Sequence, residues 1–165
     1  MNKLKYVQLH KDDAAQFEAA KRLWIPFCQE LNQHDGVTET EGEIITDLKR
    51  RIAIQGKRAD MQFELVYLGE EPVGIAMFAI DLGTVYGLLE KGYGTTMGFY
   101  IRPEYRGKGY GRQLWEHAEA VLRGDGATKF YVCPDMVTGI PFWEKMGFSD
   151  SGKIDPDDKK PIYTK

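Results

Sequence analysis

The most constraining feature of this sequence is the glycine-rich turn within the stretch RPEYRGKGYGRQLWEHAEAVL, residues 102–122. It follows a β-rich run ending at Ile101 and leads into a helical pattern of apolar residues. Gly107, Gly109 and Gly111 leave the backbone uncovered, so a bulky anion can approach it. A strand, a glycine turn and a helix in this order aim several unpaired N–H groups at one point, which predicts a phosphate site.

The basic residues of the turn favour a diphosphate. Arg106, Lys108 and Arg112 add full positive charges to the partial charge of the helix dipole. A P-loop is excluded because Gly109, not Ser or Thr, follows Lys108 and the upstream glycine spacing is missing. A dinucleotide fingerprint that began at Gly107 would need its third glycine at Arg112. The remaining alternative is a glycine turn with solvated charges and no ligand.

Composition predicts a single globular domain over residues 1–165. The chain has 165 residues, 42% of them hydrophobic and 28% charged, which suits one core but not two domains of ordinary size. A net charge of −3 argues against nucleic acid or an anionic membrane as the main partner. Cys28 and Cys133 lack metal-ligand spacing, so we expect reduced thiols, no metal site and a cytoplasmic location. No signal-peptide core and no apolar run of roughly 20 residues is found.

The first half of the chain predicts a strand, two helices and a hairpin. A strand over 5–10 precedes a helix capped by Asp12 or Asp13, in which Pro26 predicts a kink or a break. A second amphipathic helix ends before Gly56. Residues 61–80 read as a β-hairpin joined by the turn GEEP.

The second half predicts a strand over 95–101, interrupted by Gly98, where we expect a bulge or a close backbone approach. The helix after the glycine turn stops at Gly124 or Gly126, and the strand KFYVC follows. TGIPFWEKM predicts a further helix that ends at Gly147, before two short extended segments. The order β, α, α, β, β, β, α, β, α, β, β indicates a mixed α/β fold.

Two motifs resemble the Gcn5-related N-acetyltransferase (GNAT) superfamily. Arg106, Gly109 and Gly111 match its signature R/Q-x-x-G-x-G/A, and FWEKMGF is similar to its frequent segment FYEKLGF. The close resemblance covers about a third of the chain, and the rest agrees in element order. The resemblance implies a single-domain fold whose central, mostly antiparallel sheet is splayed between the fourth and fifth strands.

The resemblance also implies acetyl-coenzyme A as acyl donor. Its pyrophosphate would lie on the backbone amides of the signature loop, and its pantetheine arm along the fourth strand. A backbone N–H near Ile101 would stabilise the oxyanion of the reaction. The residues implied to bind the coenzyme are Phe99, Tyr100, Ile101, Arg106, Gly107, Lys108, Gly109, Tyr110, Gly111, Arg112 and Trp143.

The implied reaction is direct transfer of an acetyl group to a primary amine within a ternary complex. Trp143 occupies the position of the family's usual acid tyrosine, and an indole N–H cannot replace a phenol as an acid. Three alternatives follow: the thiolate leaves unassisted or with water, Tyr131 or Asp135 supplies the proton, or the protein is a non-catalytic acyl-coenzyme A sensor. Glu90 is a candidate base.

The acceptor side is predicted only by charge. In the family the first two helices and their loop wall the acceptor pocket. Residues 30–47 contain six acids and neither Lys nor Arg. An acidic lip would favour a cationic acceptor, such as a polyamine, an aminoglycoside or a lysine side chain; the alternative is a solvated helix start. We expect a small-molecule or lysine-type amine as substrate and a monomer or homodimer.

Overall fold

The computed structural model describes residues 2–55, 57–58, 60–83 and 91–165. The elements follow the predicted order, which confirms the mixed α/β class. The strands are β1 Lys5–Gln8, β2 Gln62–Leu68, β3 Glu71–Ile80, β4 Gly94–Ile101, β5 Phe130–Val132, β6 Ser149–Ile154 and β7 Pro161–Thr164. The helices are α1 Ala14–Asp35, α2 Glu41–Gln55, α3 Tyr110–Gly124 and α4 Gly139–Lys145. None of the helices in the described ranges is long and apolar enough to cross a membrane.

The seven strands form one mixed sheet in the order β1-β2-β3-β4-β5-β7-β6. The pairs β1–β2, β5–β7 and β6–β7 are antiparallel, whereas β4 and β5 are parallel. The predicted, mostly antiparallel sheet is therefore confirmed. At one edge, the pairing of β6 with β7 shifts register between Asp150 and Lys153.

Helix α1 is continuous at Pro26, where a kink or a break was predicted. Its N-cap is Asp13, whose carboxylate accepts from the Gln16 amide at 3.0 Å, and Gly36 ends it with φ of +68°. The helix runs through Pro26 without the predicted break. Proline removes one helical hydrogen bond, but the apolar face around it is buried and holds the helix in place. The buried residues of α1 are Ala19, Ala20, Leu23, Trp24 and Phe27.

Contacts divide the described chain into two compact units. Unit 1 comprises the residues up to Met77 together with Gly98–Leu114, and unit 2 comprises Phe78–Met97 and Trp115–Lys165. The single domain over residues 1–165 therefore stays a prediction.

The core of unit 1 is built around Trp24. Its ring lies 5.1 Å from Phe27 and 5.3 Å from Phe63, centroid to centroid, with edge-to-face geometry. A Cβ atom built on Gly98 would lie 2.7 Å from Cη2 of Trp24. The close approach predicted at Gly98 is therefore present, and it is an aromatic ring that lies against the strand.

The core of unit 2 is built around Trp115. Its ring packs edge-to-face against Phe130 at 5.6 Å, Trp143 at 5.3 Å and Phe148 at 5.2 Å. These residues come from α3, β5, α4 and the start of the C-terminal hairpin. The aromatic cluster thus joins both helices of the unit to β5 and to the start of the C-terminal hairpin.

Candidate active site

The turn between β4 and α3 is the centre of the candidate site. A 3-10 turn, Pro103–Tyr105, follows β4, and α3 begins at Tyr110. Between them, Gly107 and Gly109 have φ of +73° and +87°. Only glycine adopts these left-handed angles without strain, so the two glycines allow the tight turn directly before the helix.

Six successive amides in this turn have no acceptor among the residues that the structure describes. The N–H groups of residues 107–112 donate to no atom in the described part of the chain. They lie between two paired amides: that of Arg106 donates to the Pro103 carbonyl at 3.1 Å, and that of Gln113 to the Gly109 carbonyl at 3.1 Å. Unpaired N–H groups at a helix N-terminus attract an anion, and the helix dipole adds to that attraction. The turn therefore has the donors that a phosphate needs.

Two of the three basic side chains of the turn face solvent. Lys108 and Arg112 are exposed. Arg112 forms no ion pair with any residue that the structure describes, and the Lys108 Nζ lies 5.8 Å from the ring centroid of Tyr105. Both charges are thus available to an anion in solution.

The third basic side chain, Arg106, is also partly exposed, but it is bonded to other residues of unit 1. Its Nε donates to the Ile101 carbonyl at 2.7 Å, while Nη1 and Nη2 donate to the two carboxylate oxygens of Glu30 at 2.8 and 2.9 Å. Its guanidinium also lies 5.4 Å from the ring centroid of Tyr100. The hydrogen bonds to Glu30 raise the pKa of Arg106 further above its usual value, so this cation stays charged. Sequence reasoning placed Glu30 on the acceptor side and missed this pair, because the two residues are 76 positions apart.

The end of β4 has two edges with different partners. The amide of Arg102 donates to the Val73 carbonyl of β3 at 2.8 Å. Because the hydrogen-bonding groups of a strand alternate between its edges, the N–H and C=O of Ile101 lie on the edge away from β3. The bond from Arg106 to the Ile101 carbonyl agrees with this orientation. The predicted oxyanion donor near Ile101 is therefore on the edge that does not face β3.

The aromatic residues of β4 differ in burial. Tyr100 is 5% exposed and its ring lies 5.3 Å from Phe27, whereas Phe99 is half-buried. Burial raises the pKa of the Tyr100 phenol, so it stays neutral at physiological pH. Tyr100 thus supports the strand from the α1 side.

β4 and β5 pair over only two positions. The parallel register joins Gly94 to Phe130 and Thr95 to Tyr131. β4 continues to Ile101, whereas β5 ends at Val132. This short pairing is consistent with the predicted splay between the fourth and fifth strands.

The candidate proton donor Tyr131 is buried in unit 2. It is 1% exposed, and its hydroxyl donates to Oδ2 of Asp81 at 3.0 Å. Asp81 is itself 3% exposed and accepts from the Gly83 amide at 2.7 Å. Sequence reasoning missed Asp81. Its one local signal in the sequence is its position directly after a buried strand.

The candidate Asp135 is bonded within its own turn. Its Oδ2 accepts from both the amide and the hydroxyl of Thr138 at 2.8 Å, and its carbonyl accepts from the amides of Gly139 and Ile140. These bonds stabilise the turn before α4. The candidate base Glu90 lies outside the described residues.

Trp143, the residue in the acid position, belongs to the core of unit 2. It is 5% exposed and packs against Trp115, Phe142 and Phe148. Its burial favours a structural role in the core over the role of an acid. A contact with the coenzyme stays a prediction.

The acids of the predicted lip mostly have partners. Glu43 and Thr40 form a capping box, with bonds of 2.8 and 3.2 Å, at the start of α2. Asp47 accepts from Arg51 at 2.7 Å, and Glu39 accepts from Asn32 at 3.0 Å. These contacts, with the pair between Glu30 and Arg106, favour a structural role for the acids. The spacing T-x-x-E of Thr40 and Glu43 is a sequence signal that could have predicted this capping box.

The two cysteines are poor nucleophiles. Burial, followed by nearby carboxylates, raises the pKa of Cys28 and of Cys133 to about 12. Because the thiolate is the reactive form, both thiols are unreactive at neutral pH. Within the described ranges, no group of three or more His, Cys, Asp or Glu side chains is arranged to hold a metal.

Unit 1 also contains an open cavity of about 420 Å³ beside the end of β4. Pro26 of α1, Pro72 of β3 and Tyr100 are among its lining residues, whereas residues 106–112 are not. The cavity is therefore distinct from the glycine turn.

The fold and the turn together define a mixed α/β protein with a backbone anion site between its fourth strand and third helix. The sequence matches the model of the acetyltransferase (GNAT) family over residues 17–148. The chain therefore belongs to this family, and the resemblance seen in its motifs is confirmed. No curated protein matches the sequence.

Solved structures share this fold at low sequence identity. An acetyltransferase from Thermus thermophilus has a TM-score of 0.74 and 20% identity, with 100% of this chain and 99% of that chain covered. The PaiA N-acetyltransferase from Thermoplasma acidophilum, in complex with coenzyme A, has a TM-score of 0.71 and 17% identity, with 98% of each chain covered. The aminoglycoside acetyltransferase AAC(6')-Ib, in complex with coenzyme A, has a TM-score of 0.69 and 19% identity, with coverages of 98% and 94%.

Proposed function

We propose that this protein is an acetyl-coenzyme A-dependent N-acetyltransferase that acts on a primary amine in the cytoplasm. The observation that carries the proposal is the run of six unpaired amides at residues 107–112, in a chain of the GNAT family. These donors suit the pyrophosphate of coenzyme A, and Lys108 and Arg112 add charge beside them. The two neighbours with bound coenzyme A support the same ligand.

The proposed reaction is a direct transfer. The neutral amine attacks the thioester carbonyl, the new C–N bond forms, and a backbone N–H near Ile101 stabilises the oxyanion. The C–S bond then breaks, and the amine proton passes to a base or to water. Phe99 and Tyr100 belong to the strand along which the pantetheine arm would lie.

For the last step, the departure of the thiolate, we favour assistance by water over a proton from Tyr131 or Asp135. The hydroxyl of Tyr131 already donates to Asp81, and the carboxylate of Asp135 already accepts two bonds from Thr138. A thiol is a tolerable leaving group without a protein acid, since the pKa of an ordinary cysteine thiol is about 8.5.

The binding test compares two glycine variants. Gly107 and Gly36 have similar φ angles, +73° and +68°, and an added Cβ would meet no atom within 4 Å at either. Gly107→Ala and Gly36→Ala should therefore cost similar stability, roughly 1 kcal/mol. Only Gly107→Ala should weaken acetyl-coenzyme A in calorimetric titration, because its methyl group stands where the anion approaches. If the wild type fails to bind at micromolar concentration, the proposal is wrong.

A non-catalytic acyl-coenzyme A sensor is the second candidate, and Trp143 in the acid position favours it. Thiol release in the presence of polyamines, aminoglycosides and lysine peptides separates the two. We expect turnover with at least one amine. Tight coenzyme binding with no release across the panel would favour the sensor.

A further inference from the structure

The feature behind this inference is the bidentate pair between Glu30 of α1 and Arg106 at the start of the glycine turn. All three guanidinium nitrogens donate within unit 1, at 2.7 Å to Ile101 and at 2.8 and 2.9 Å to Glu30. A fork of this kind fixes orientation as well as distance. The start of the turn is thereby tied to both the strand before it and the helix beside it.

The pair also contributes to stability. The side chains of Arg106 and Glu30 are 35% and 27% exposed; ordinary ion pairs at such positions are worth about 0.2–1 kcal/mol, and a bidentate pair lies at the strong end of that range. The position of the pair is more informative. Arg106 also bonds Pro103 through its amide, and the first of the six unpaired amides follows directly at Gly107.

We propose that Glu30 is a positioning residue for the coenzyme loop, acting through Arg106. This inference rests on the proposed function. Glu30 holds Arg106 in the orientation that sets the turn, so the amides of residues 107–112 converge before the anion arrives. The pair is neutral as a whole, and the attraction for the anion comes from the amides, Lys108 and Arg112.

The competing role makes the opposite prediction. If Arg106 were itself a ligand of the pyrophosphate, Glu30 would compete with the coenzyme for the guanidinium. Removing Glu30 would then free a cation and tighten binding. In the positioning role, removing Glu30 loosens the turn and weakens binding, so the sign of the effect decides between them.

The experiment measures the Kd of acetyl-coenzyme A by calorimetry for the wild type, Glu30→Gln, Arg106→Gln and the double variant. Glu104→Gln is the matched control, because this exposed acid pairs with Arg102 close to the turn. We expect Glu30→Gln to raise Kd roughly tenfold, equivalent to about 1.4 kcal/mol. Arg106→Gln should do the same. The double variant should have no larger effect than either single variant, since both substitutions break the same ion pair. Glu104→Gln removes the same charge and should change Kd less than about twofold.

Turnover gives a second readout. Glu30→Gln should raise KM for acetyl-coenzyme A and leave kcat unchanged, because the loop binds the donor before and during the reaction. Thermal unfolding confirms that each variant is folded. An unchanged or lower Kd in Glu30→Gln, with normal wild-type binding, would overturn the positioning role alone. Absence of wild-type binding would overturn the proposed function and this inference together.

Discussion

Gly98 shows how a single missing side chain shapes the core of unit 1. The Trp24 ring lies directly against the β4 backbone there, and a Cβ on Gly98 would stand 2.7 Å from Cη2 and 2.9 Å from Cζ3 of that ring. Real Cβ atoms do not approach other atoms so closely. The ring is held in turn by Phe27 and Phe63, so it has little room to move.

Gly98→Ala should therefore lower the free energy of unfolding by about 1–3 kcal/mol, the usual cost of overpacking. The measurement is urea unfolding followed by tryptophan fluorescence. Gly42→Ala is the control, because its nearest neighbour would be 3.9 Å away and no loss is expected. Adding Trp24→Phe should recover part of the loss, since the shorter ring removes the clashing atoms. Additive losses in the double variant would contradict this explanation.

Asp47 links α2 stability to pH. Burial alone would raise the pKa of Asp47, but the charges and hydrogen bonds of Arg51 and Arg50 outweigh it and place the pKa below its usual value. A carboxyl group with a lowered folded-state pKa stabilises the protein above its unfolded pKa, about 3.9. That stabilisation disappears as pH falls from there through the folded-state pKa.

We expect the free energy of unfolding to fall between about pH 5 and pH 2 less steeply in Asp47→Asn than in the wild type. The variant has already lost the ion pairs at neutral pH, so it has less to lose in acid. Asp12→Asn is the control, because Asp12 is exposed and forms no ion pair with any described residue. Equal acid dependence in Asp47→Asn and the wild type would show that Arg50 and Arg51 do not stabilise the charge.

At the scale of elements, the order of the strands and α-helices was predictable, because most of them have an apolar pattern between turn residues. Of the kink or break predicted at Pro26, the break is absent, because a buried face keeps α1 continuous; the kink stays a prediction. Contacts between distant elements were not predictable. The acids Glu30 and Asp81 are examples, since their partners Arg106 and Tyr131 are 76 and 50 positions away.

Pro26→Ala tests how much stability α1 loses by having a proline at that position. Alanine restores the missing amide donor and removes the clash with the preceding turn, so α1 should gain up to about 3 kcal/mol. Pro26 is exposed, so its loss leaves no buried gap. Chemical unfolding of the variant and the wild type measures the gain. A lower free energy of unfolding in Pro26→Ala would mean that the proline ring packs favourably in the cavity beside β4.

At the scale of the whole molecule, the turn that we propose for the donor was predictable and the acceptor side was not. The proposed donor site uses backbone amides, so glycine spacing points to it directly in the sequence. An acceptor is recognised by side chains from several elements, and their spacing carries no such signature. The resemblance to GNAT proteins supplied a position for the acid, and Trp143 fills it with a core residue.

Ligand binding should stabilise the protein measurably. At about a hundred times its Kd, a ligand that binds only the folded state adds about 2.7 kcal/mol. For a chain of this size that should raise Tm by about 5–10 °C. Differential scanning fluorimetry with acetyl-coenzyme A measures the shift, and Gly107→Ala should show a smaller one at the same concentration. No shift for the wild type at saturating concentration would contradict binding at the turn.

The unpaired amides of residues 107–112 also have a consequence for hydrogen exchange. An amide without an acceptor exchanges its proton with solvent quickly, whereas the core strands exchange only when the structure opens. In the free protein these six positions should therefore take up deuterium within seconds. Acetyl-coenzyme A should slow them selectively, and the amides that slow would map, residue by residue, how far the pyrophosphate reaches along the turn.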